Sequence, residues 1–581
     1  MVTFKDGKIV LQSKYFEQAK YDMSNETVAV QADGCGGLTS YRVANRAGNA
    51  LSGFLSLDLS VGGKRLSPYI SKTVEMIGRM QKVILQTPQG ELSVTTFLGG
   101  RENGVFFLLQ GEGLRFDLAL NCRDAKSPTQ ENVVFVEGQN FCLSTSVTGD
   151  WVAENDCFYL SAREEVKLFF SFGASSEEHR AAFMDFDGAF SRCLAEIKAV
   201  KIPSSVRTEE EKALYYAAYF TALQNHKTIG DFKAFAAGIN YLEPLRTYYR
   251  DSYFTVLPML GTHPELVRDE ILTLARGVGA DGACPSAVKS DFTSFWGDHY
   301  DSPSFFVMEV YDYVCETGDR ALLNAKVGGA TIADKIKAVL ARLATATDQT
   351  GLIVKEGAYN KRDWADEVNR TGYVTFVEAL YYRALQAAAT LFEGEPCAKQ
   401  YRAQAERVKE ATNALLFDKE EGYYVNYKSA EGVEDNLSVD TVFAVLFGVA
   451  DKEQSVRVLD RMEHLLETKN NPDMGGEDFG VACVYPPYSL PRSTCNKSSH
   501  LYEYHNGANW CYLTAMYAYA KSLFGRDWRA PLVSTFRYML TKKHYTLIEY
   551  FSPCCKAGSV LQAWSAAIAF AFERAGEEFF K

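Results

Sequence analysis

Two periods of apolar and polar residues divide this chain. Up to about residue 175 the two kinds alternate in short runs, as in "LSVTTFLGG", "NGVFFLLQGEG", "LRFDLALNC", "NVVFVEGQNFCLSTSV" and "EEVKLFFSFG". These runs are β-branched or aromatic and are punctuated by Gly and Asn, which predicts an antiparallel β-sandwich over residues 1–175. Residues 176–205 read as a helical linker. After "KIPSSVRTEEEKALYYAAYFTAL" the period becomes helical, with Pro203 and Ser204-Ser205 as a start signal. Periodicity and breakers place helices near 206–225, 251–261, 264–278, 303–317, 320–346, 373–393, 395–416, 438–449, 452–467, 507–524, 529–542 and 560–578. Short turns such as "GTHP" and "ETGD" join the members of a pair. Long segments, 226–250, 279–302, 347–372, 468–506 and 543–559, separate one pair from the next. Six hairpins with long loops at one end describe an (α/α)6 barrel over residues 206–581. Loops beyond ~12–15 residues are usually functional or disordered. These are too aromatic for disorder, so they are expected to build one face.

Composition narrows the function. A chain of 581 residues exceeds what one core holds, so two or more domains are expected. A formal net charge of −12 argues against a nucleic-acid partner, which needs a basic surface. Aromatics reach 13%, which suits carbohydrate stacking and a large core equally well. No apolar run approaches the ~20 residues of a membrane span, and "MVTFKDGKIVLQSKYF" has no secretory h-region. Thirteen scattered Cys, with only Cys554-Cys555 adjacent, form neither a zinc pattern nor a disulfide framework. Reduced thiols in a cytoplasm are expected.

Candidate chemistry concentrates in the long loops. "TYYRDSYFTVLPML" sets Arg250 beside Asp251 where an apolar helix begins. Asp251 or Ser252 could cap that helix. The pair could equally grip vicinal hydroxyls, with Arg donating and Asp accepting. Trp296, Trp364, Trp510 and Trp564 fall in or beside the loops, where an indole either stacks on a sugar face or plugs the end of the helical domain. In "YNKRDWADEVNRTGYVTFVEALYYRAL", Asp363, Asp366 and Glu367 cluster around Trp364 ahead of a helix. The helix dipole favours acids there. An acid packed beside an indole is also desolvated and kept protonated, as a general acid requires. Glu549, flanked by Ile548 and Tyr550-Phe551, keeps unusual company for a surface charge. Two carboxylates from separate loops allow the ~6.5–9.5 Å separation that inverting glycoside hydrolysis needs.

Taken together the motifs resemble the (α/α)6 inverting glycosidases, with glucoamylases and the glucosidase domain of glycogen-debranching enzymes as the nearest likeness. "YYRDSYFTVLPML" looks like the family's aromatic-Arg-Asp segment, which implies that Arg250 and Asp251 hold the non-reducing-end sugar. "DHYDSPSFFVMEVYDYVCETGD" is similar to a family loop that nominates Asp301 for sugar contact, with Trp296 close by. "EYHNGANWCYLTAMYAYA" resembles the "YHNGxxW" of debranching enzymes, implying roles at the sugar for His505, Asn506 and Trp510. "EYFSPCCKAGSVLQAWSAA" is similar to the glucoamylase end that carries the catalytic base, which implies Glu549. Glucoamylases place the acid directly after the Trp, whereas Ala365 intervenes here. The debranching spacing points to Asp366 as acid, with Trp364 and Glu367 at the substrate and Glu367 the competing acid. Phe551 and the double Cys replace the usual polar spacer after the base.

The resemblance implies exo-acting, inverting hydrolysis of an α-linked sugar, glucose first, from an oligosaccharide or small glycoside. No metal or cofactor is expected, since the acids serve as proton carriers. A related disaccharide phosphorylase would replace the base by a phosphate site. A sugar epimerase on the same barrel would use histidines, and only His299 and His505 sit beside candidate loops. A carbohydrate-binding protein without catalysis would not need both Asp366 and Glu549.

Overall fold

The structure is a computed structural model that describes residues 1–13, 19–46, 51–66, 72–122, 126–129, 133–135, 141–147, 149–152, 157–356, 363–474, 477–488, 496–553 and 557–580. The chain forms two compact units. One comprises residues 1–231 with 238–245 and 540–547; the other comprises 232–237, 246–539 and 548–581.

In the first unit the alternating segments form an antiparallel sheet. The sandwich expectation is refined, because one continuous hydrogen-bonded sheet of fourteen strands links them among the described residues. The reason lies in strand Val105–Cys122. Its first half pairs with Gly90–Phe97, in register Phe97 with Phe106. Its second half pairs with Leu51–Val61, in register Phe116 with Val61. The changeover falls at "GEG", where Gly113 takes a φ of +68°, a left-handed conformation open to glycine. Cys157–Phe172 runs along the other edge of both halves and shifts register at the same place.

Helices α1 (Ser176–Met184) and α2 (Phe186–Ala199) belong to this unit. α1 starts at a capping box between Ser175 and Glu178. α2 buries Phe186, Ala189 and Cys193 against Phe97, Phe106 and Phe169 of the sheet, with Phe186 edge-on to Phe97 at 5.5 Å. The segment expected as a linker is therefore packed on the sheet. α3 (Glu209–Asn225), expected to open the helical series, lies in this unit too.

The second unit is helical: α4 (Tyr249–Val256), α5 (Pro264–Gly277), α6 (Ser302–Thr317), α7 (Ile332–Ala344), α8 (Thr375–Leu391), α9 (Pro396–Leu415), α10 (Val442–Leu446), α11 (Lys452–Leu465), α12 (Cys511–Leu523), α13 (Arg529–Thr541) and α14 (Ala567–Glu573). Two kinds of helix alternate. α4, α6, α8, α10, α12 and α14 are buried on nearly every side, whereas α5, α7, α9 and α11 bury one stripe, such as Ile332, Ile336, Val339 and Leu343 of α7. The buried helices pack in succession, α4 on α6, α6 on α8, α8 on α10, α10 on α12 and α12 on α14. A 3-10 turn at Ala563–Ala566, just ahead of α14, packs back on α4. The helix expected over 320–346 is broken: Gly328-Gly329 turns a two-residue hairpin, and α7 starts only after a capping box between Thr331 and Asp334.

Short ladders tie the long loops together. Arg246–Tyr248 pairs with Pro285–Lys289, which pairs with Ser294–Asp298. Asn509–Trp510 pairs with Tyr550–Phe551.

Candidate active site

α4 begins at Tyr249, with Tyr248 at the cap position and no side-chain capping bond. The capping expectation for Asp251 and Ser252 is corrected: both lie inside the helix, because the strand Arg246–Tyr248 runs straight into it. Their polar groups serve other partners. Arg250 Nη1 donates to Asp301 Oδ2 at 2.7 Å, and its guanidinium lies 5.9 Å from the Trp564 ring. Asp301 occupies the cap position of α6 without capping it. Asp251 Oδ1 accepts from Gln562 Nε2 at 3.1 Å. Around this grip, Arg250 Nε, Asp301 Oδ1, His299 Nε2, Gln562 Oε1 and Trp564 Nε1 are buried without hydrogen-bond partners among the described residues. Each such atom costs about 1–3 kcal/mol. Their concentration marks a place suited to a hydroxylated ligand. Burial pushes the Asp251 carboxyl up to about 7, against Arg250 and with Glu549 adding to the rise.

The three acids around Trp364 separate into different roles. Asp363 is fully buried between Lys355 Nζ at 2.5 Å and Arg370 Nη2 at 2.8 Å. Burial opposes its ionisation, but the Arg370 and Lys355 charges prevail and hold it well below the usual carboxylate range. It is a fixed anion. Arg370 also donates to Asp440 at 2.6 Å and Asn426 at 3.1 Å, and Asp440 accepts from Trp364 Nε1 at 2.6 Å. This network clamps the loop. Asp366 is not part of this network among the described residues. Burial raises its carboxyl to about 7; Glu367 and Glu549 add to the rise, and Arg250 and Lys497 oppose it. Residues 359–362 of the motif lie outside the described residues.

Glu549 comes from the other side of the chain. Its backbone N–H donates to Ser559 O at 2.8 Å, and Ser559 N–H donates to its Oε2 at 3.0 Å. Burial raises its carboxyl, with that N–H, Lys497 and Arg250 opposing. Asp251 is buried, Asp366 and Glu549 are half-buried, and the Glu549 charge reaches both aspartates. Cys554 and Cys555 lie outside the described residues.

The tryptophans differ in exposure. Trp364, Trp510 and Trp564 are buried, packed edge-on at 5.4 Å (Trp364 to Trp510) and 5.7 Å (Trp510 to Trp564). Trp510 stacks between His505 at 4.8 Å and Tyr550 at 5.1 Å. They form a wall and offer no open face. Trp296, 38% exposed, lies parallel to His299 with centroids 6.3 Å apart. His505 is buried; Glu367 N–H donates to its Nδ1 at 3.3 Å, and its Nε2 lies 4.0 Å from Asp366. Asn506 Oδ1 accepts from Tyr488 N–H at 3.3 Å. A cavity of about 260 Å³, lined by Cys284, Asp298, His299, Tyr300 and Arg342, borders the loop that carries Asp301 but not Asp366 or Glu549. Gln562, Lys497, Ser559 and the Arg370 network escaped the sequence reading. Gln562, Ser559 and Arg370 stand within the motifs around Trp564 and Trp364, whereas Lys497 lies in none of them.

A bacterial glucoamylase complexed with acarbose superimposes with a TM-score of 0.61 at 11% identity, over 98% of each chain. A rhamnosidase from Klebsiella oxytoca with rhamnose bound gives a TM-score of 0.48 at 16% identity, over 89% of this chain and 95% of that one. No curated protein matches the sequence. The chain thus shares the fold of that bacterial glucoamylase. The sequence profile described as amylo-alpha-1,6-glucosidase matches residues 226–570, more than half of the chain, and the chain belongs to that family.

Proposed function

We propose that the protein is an inverting, exo-acting glycoside hydrolase that removes α-linked glucose from the non-reducing end of an oligosaccharide or small glycoside. Asp366 is the general acid and Glu549 the general base. One observation carries the reading. Two half-buried acids on loops far apart in sequence both have raised carboxyls, with the Glu549 charge adding to the rise at Asp366, beside the Arg250–Asp301 pair and polar atoms that have no partner among the described residues. Asp366 with a pKa of about 7 is largely protonated below neutrality and can deliver its proton to the leaving oxygen. Glu549, ionised, takes a proton from water on the opposite face of the sugar ring. Arg250, Asp251 and Asp301 hold the terminal sugar and make the site a pocket, which favours exo-action. The successive packing of α4, α6, α8, α10, α12 and α14 supports an (α/α)6 barrel. Membership of the amylo-alpha-1,6-glucosidase family supports an α-glucosidic substrate. Free cysteines such as Cys142, Cys193 and Cys511 favour a cytoplasmic setting. Among the described residues no helix is long and apolar enough to cross a membrane.

The test is proton NMR of a reaction on an α-glucosidic disaccharide. β-Glucose must appear first; α-glucose first would reject inversion. One feature favours a phosphorylase instead: the charge of Lys497 reaches both carboxylates. Turnover that requires inorganic phosphate and yields a sugar phosphate would establish it.

A further inference from the structure

His505 touches the acid-bearing loop twice. Its side chain is 0% exposed. Trp510 stacks on its ring at 4.8 Å with an interplanar angle of 14°, and Trp364 meets it edge-on at 4.9 Å. The ring therefore has one orientation. The backbone N–H of Glu367 donates to Nδ1 at 3.3 Å. An Nδ1 that accepts carries no proton, so a neutral ring carries its proton on Nε2. Burial holds the ring neutral; Arg370, Arg250 and Lys497 act in the same sense, and Asp363 opposes them. Among the described residues Nε2 has no hydrogen-bond partner, and it lies 4.0 Å from Asp366 Oδ1.

We propose that His505 is a positioning residue for the acid, its Nε2–H donating to the Asp366 carboxylate once Asp366 has given its proton to the leaving oxygen. This rests on Asp366 being the acid. A separation of 4.0 Å is too long for a hydrogen bond and suits a protonated Asp366, which needs no donor. After transfer Asp366 is an anion facing Glu367 and Glu549, with Arg250 and Lys497 as the opposing cations. The Asp366 carboxylate, closing to about 2.8 Å from this fixed neutral donor, is stabilised as an anion. The atoms balance without a proton from His505. The Asp366 proton goes to the glycosidic oxygen, which leaves with the electron pair of the broken C–O bond. Water forms the new C–O bond and gives a proton to Glu549.

The experiment is the pH dependence of kcat/KM in His505→Gln and His505→Asn. The Gln amide nitrogen reaches the position of Nε2, and the Asn amide reaches only that of Nδ1. In His505→Asn the alkaline limb moves up by about half to one pH unit and kcat falls, since the carboxylate has lost its donor. In His505→Gln the limb stays near that of the native chain. An unmoved limb in both variants, or an equal shift in both, overturns the proposal. A second measurement needs no variant to be active: the ¹⁵N spectrum of histidine-labelled native protein must assign residue 505 to the Nε2–H tautomer. A proton on Nδ1 overturns it. Full activity of Asp366→Asn would instead overturn the acid assignment, and the tautomer measurement keeps the two failures apart.

Discussion

The carboxylate of Glu549 owes its place to a residue without a side chain. A Cβ on Gly558 would stand 2.6 Å from both Cβ and Oε2 of Glu549. Only glycine lets the strand around Ser559 lie close enough for its N–H to reach that oxygen. Gly558→Ala is therefore expected to displace the base and lower kcat by about 10²-fold with little change in thermal stability, measured by steady-state kinetics beside a melting curve. Asp366→Asn and Glu549→Gln should each lower kcat by about 10²–10⁴-fold while a substrate analogue still binds by calorimetry. Near-normal turnover of Glu549→Gln would remove it as base. The candidate acids were legible because each stands in apolar or aromatic company. Gln562 was not singled out, because its bond to Asp251 spans 311 positions and no local pattern encodes it.

At the scale of elements, the loop that carries Asp366 depends on Arg370. Its fork serves Asp363, Asp440 and Asn426 at once. Arg370→Leu would leave two buried carboxylates without this partner, and should cost about 3–5 kcal/mol of stability in denaturant unfolding. Arg370→Lys should rescue little, since a single ammonium cannot replace the fork. α5 and α6 carry a second buried pair. Burial raises Glu270 to about 8, with Thr247 and Phe235 N–H as partners; Glu309 on α6 is also held well above its usual range by burial, with the Glu270 charge next. A raised folded pKa means that the proton's contribution to stability is complete below about pH 4, the unfolded value, and is lost as pH rises through about 8. Glu270→Gln, neutral at every pH, should gain about 2–4 °C of unfolding temperature on the native chain between pH 6 and pH 9. An equal offset at both pH values would count against it. Periodicity located most helices, since their apolar stripes are local. It overran α7, where Gly328-Gly329 and the Thr331 cap outweigh the apolar period.

At the scale of the whole molecule, the proposed hydrolysis requires segments 183 positions apart, those around Asp366 and Glu549, to share one pocket. The requirement for a protonated Asp366 beside an ionised Glu549 predicts a bell-shaped pH profile of kcat/KM. The alkaline limb follows loss of the Asp366 proton near pH 7, and the acid limb follows protonation of Glu549 above the ordinary glutamate value. A profile flat across pH 6–8 would contradict the assignment of Asp366.

By itself the sequence determined the order of an alternating half and a helical half, the kind of side chain at each loop and the order of the motifs. All of these depend on interactions within a few residues along the chain, where backbone periodicity and turn chemistry act. Tertiary structure alone decided that Asp363 is a fixed anion while Asp366 is a titrating one. It also decided that three tryptophans close a wall, and that the strands join in one sheet through a switch at "GEG". The reason is physical: ionisation and burial depend on which distant groups surround a side chain, and no local pattern carries that information.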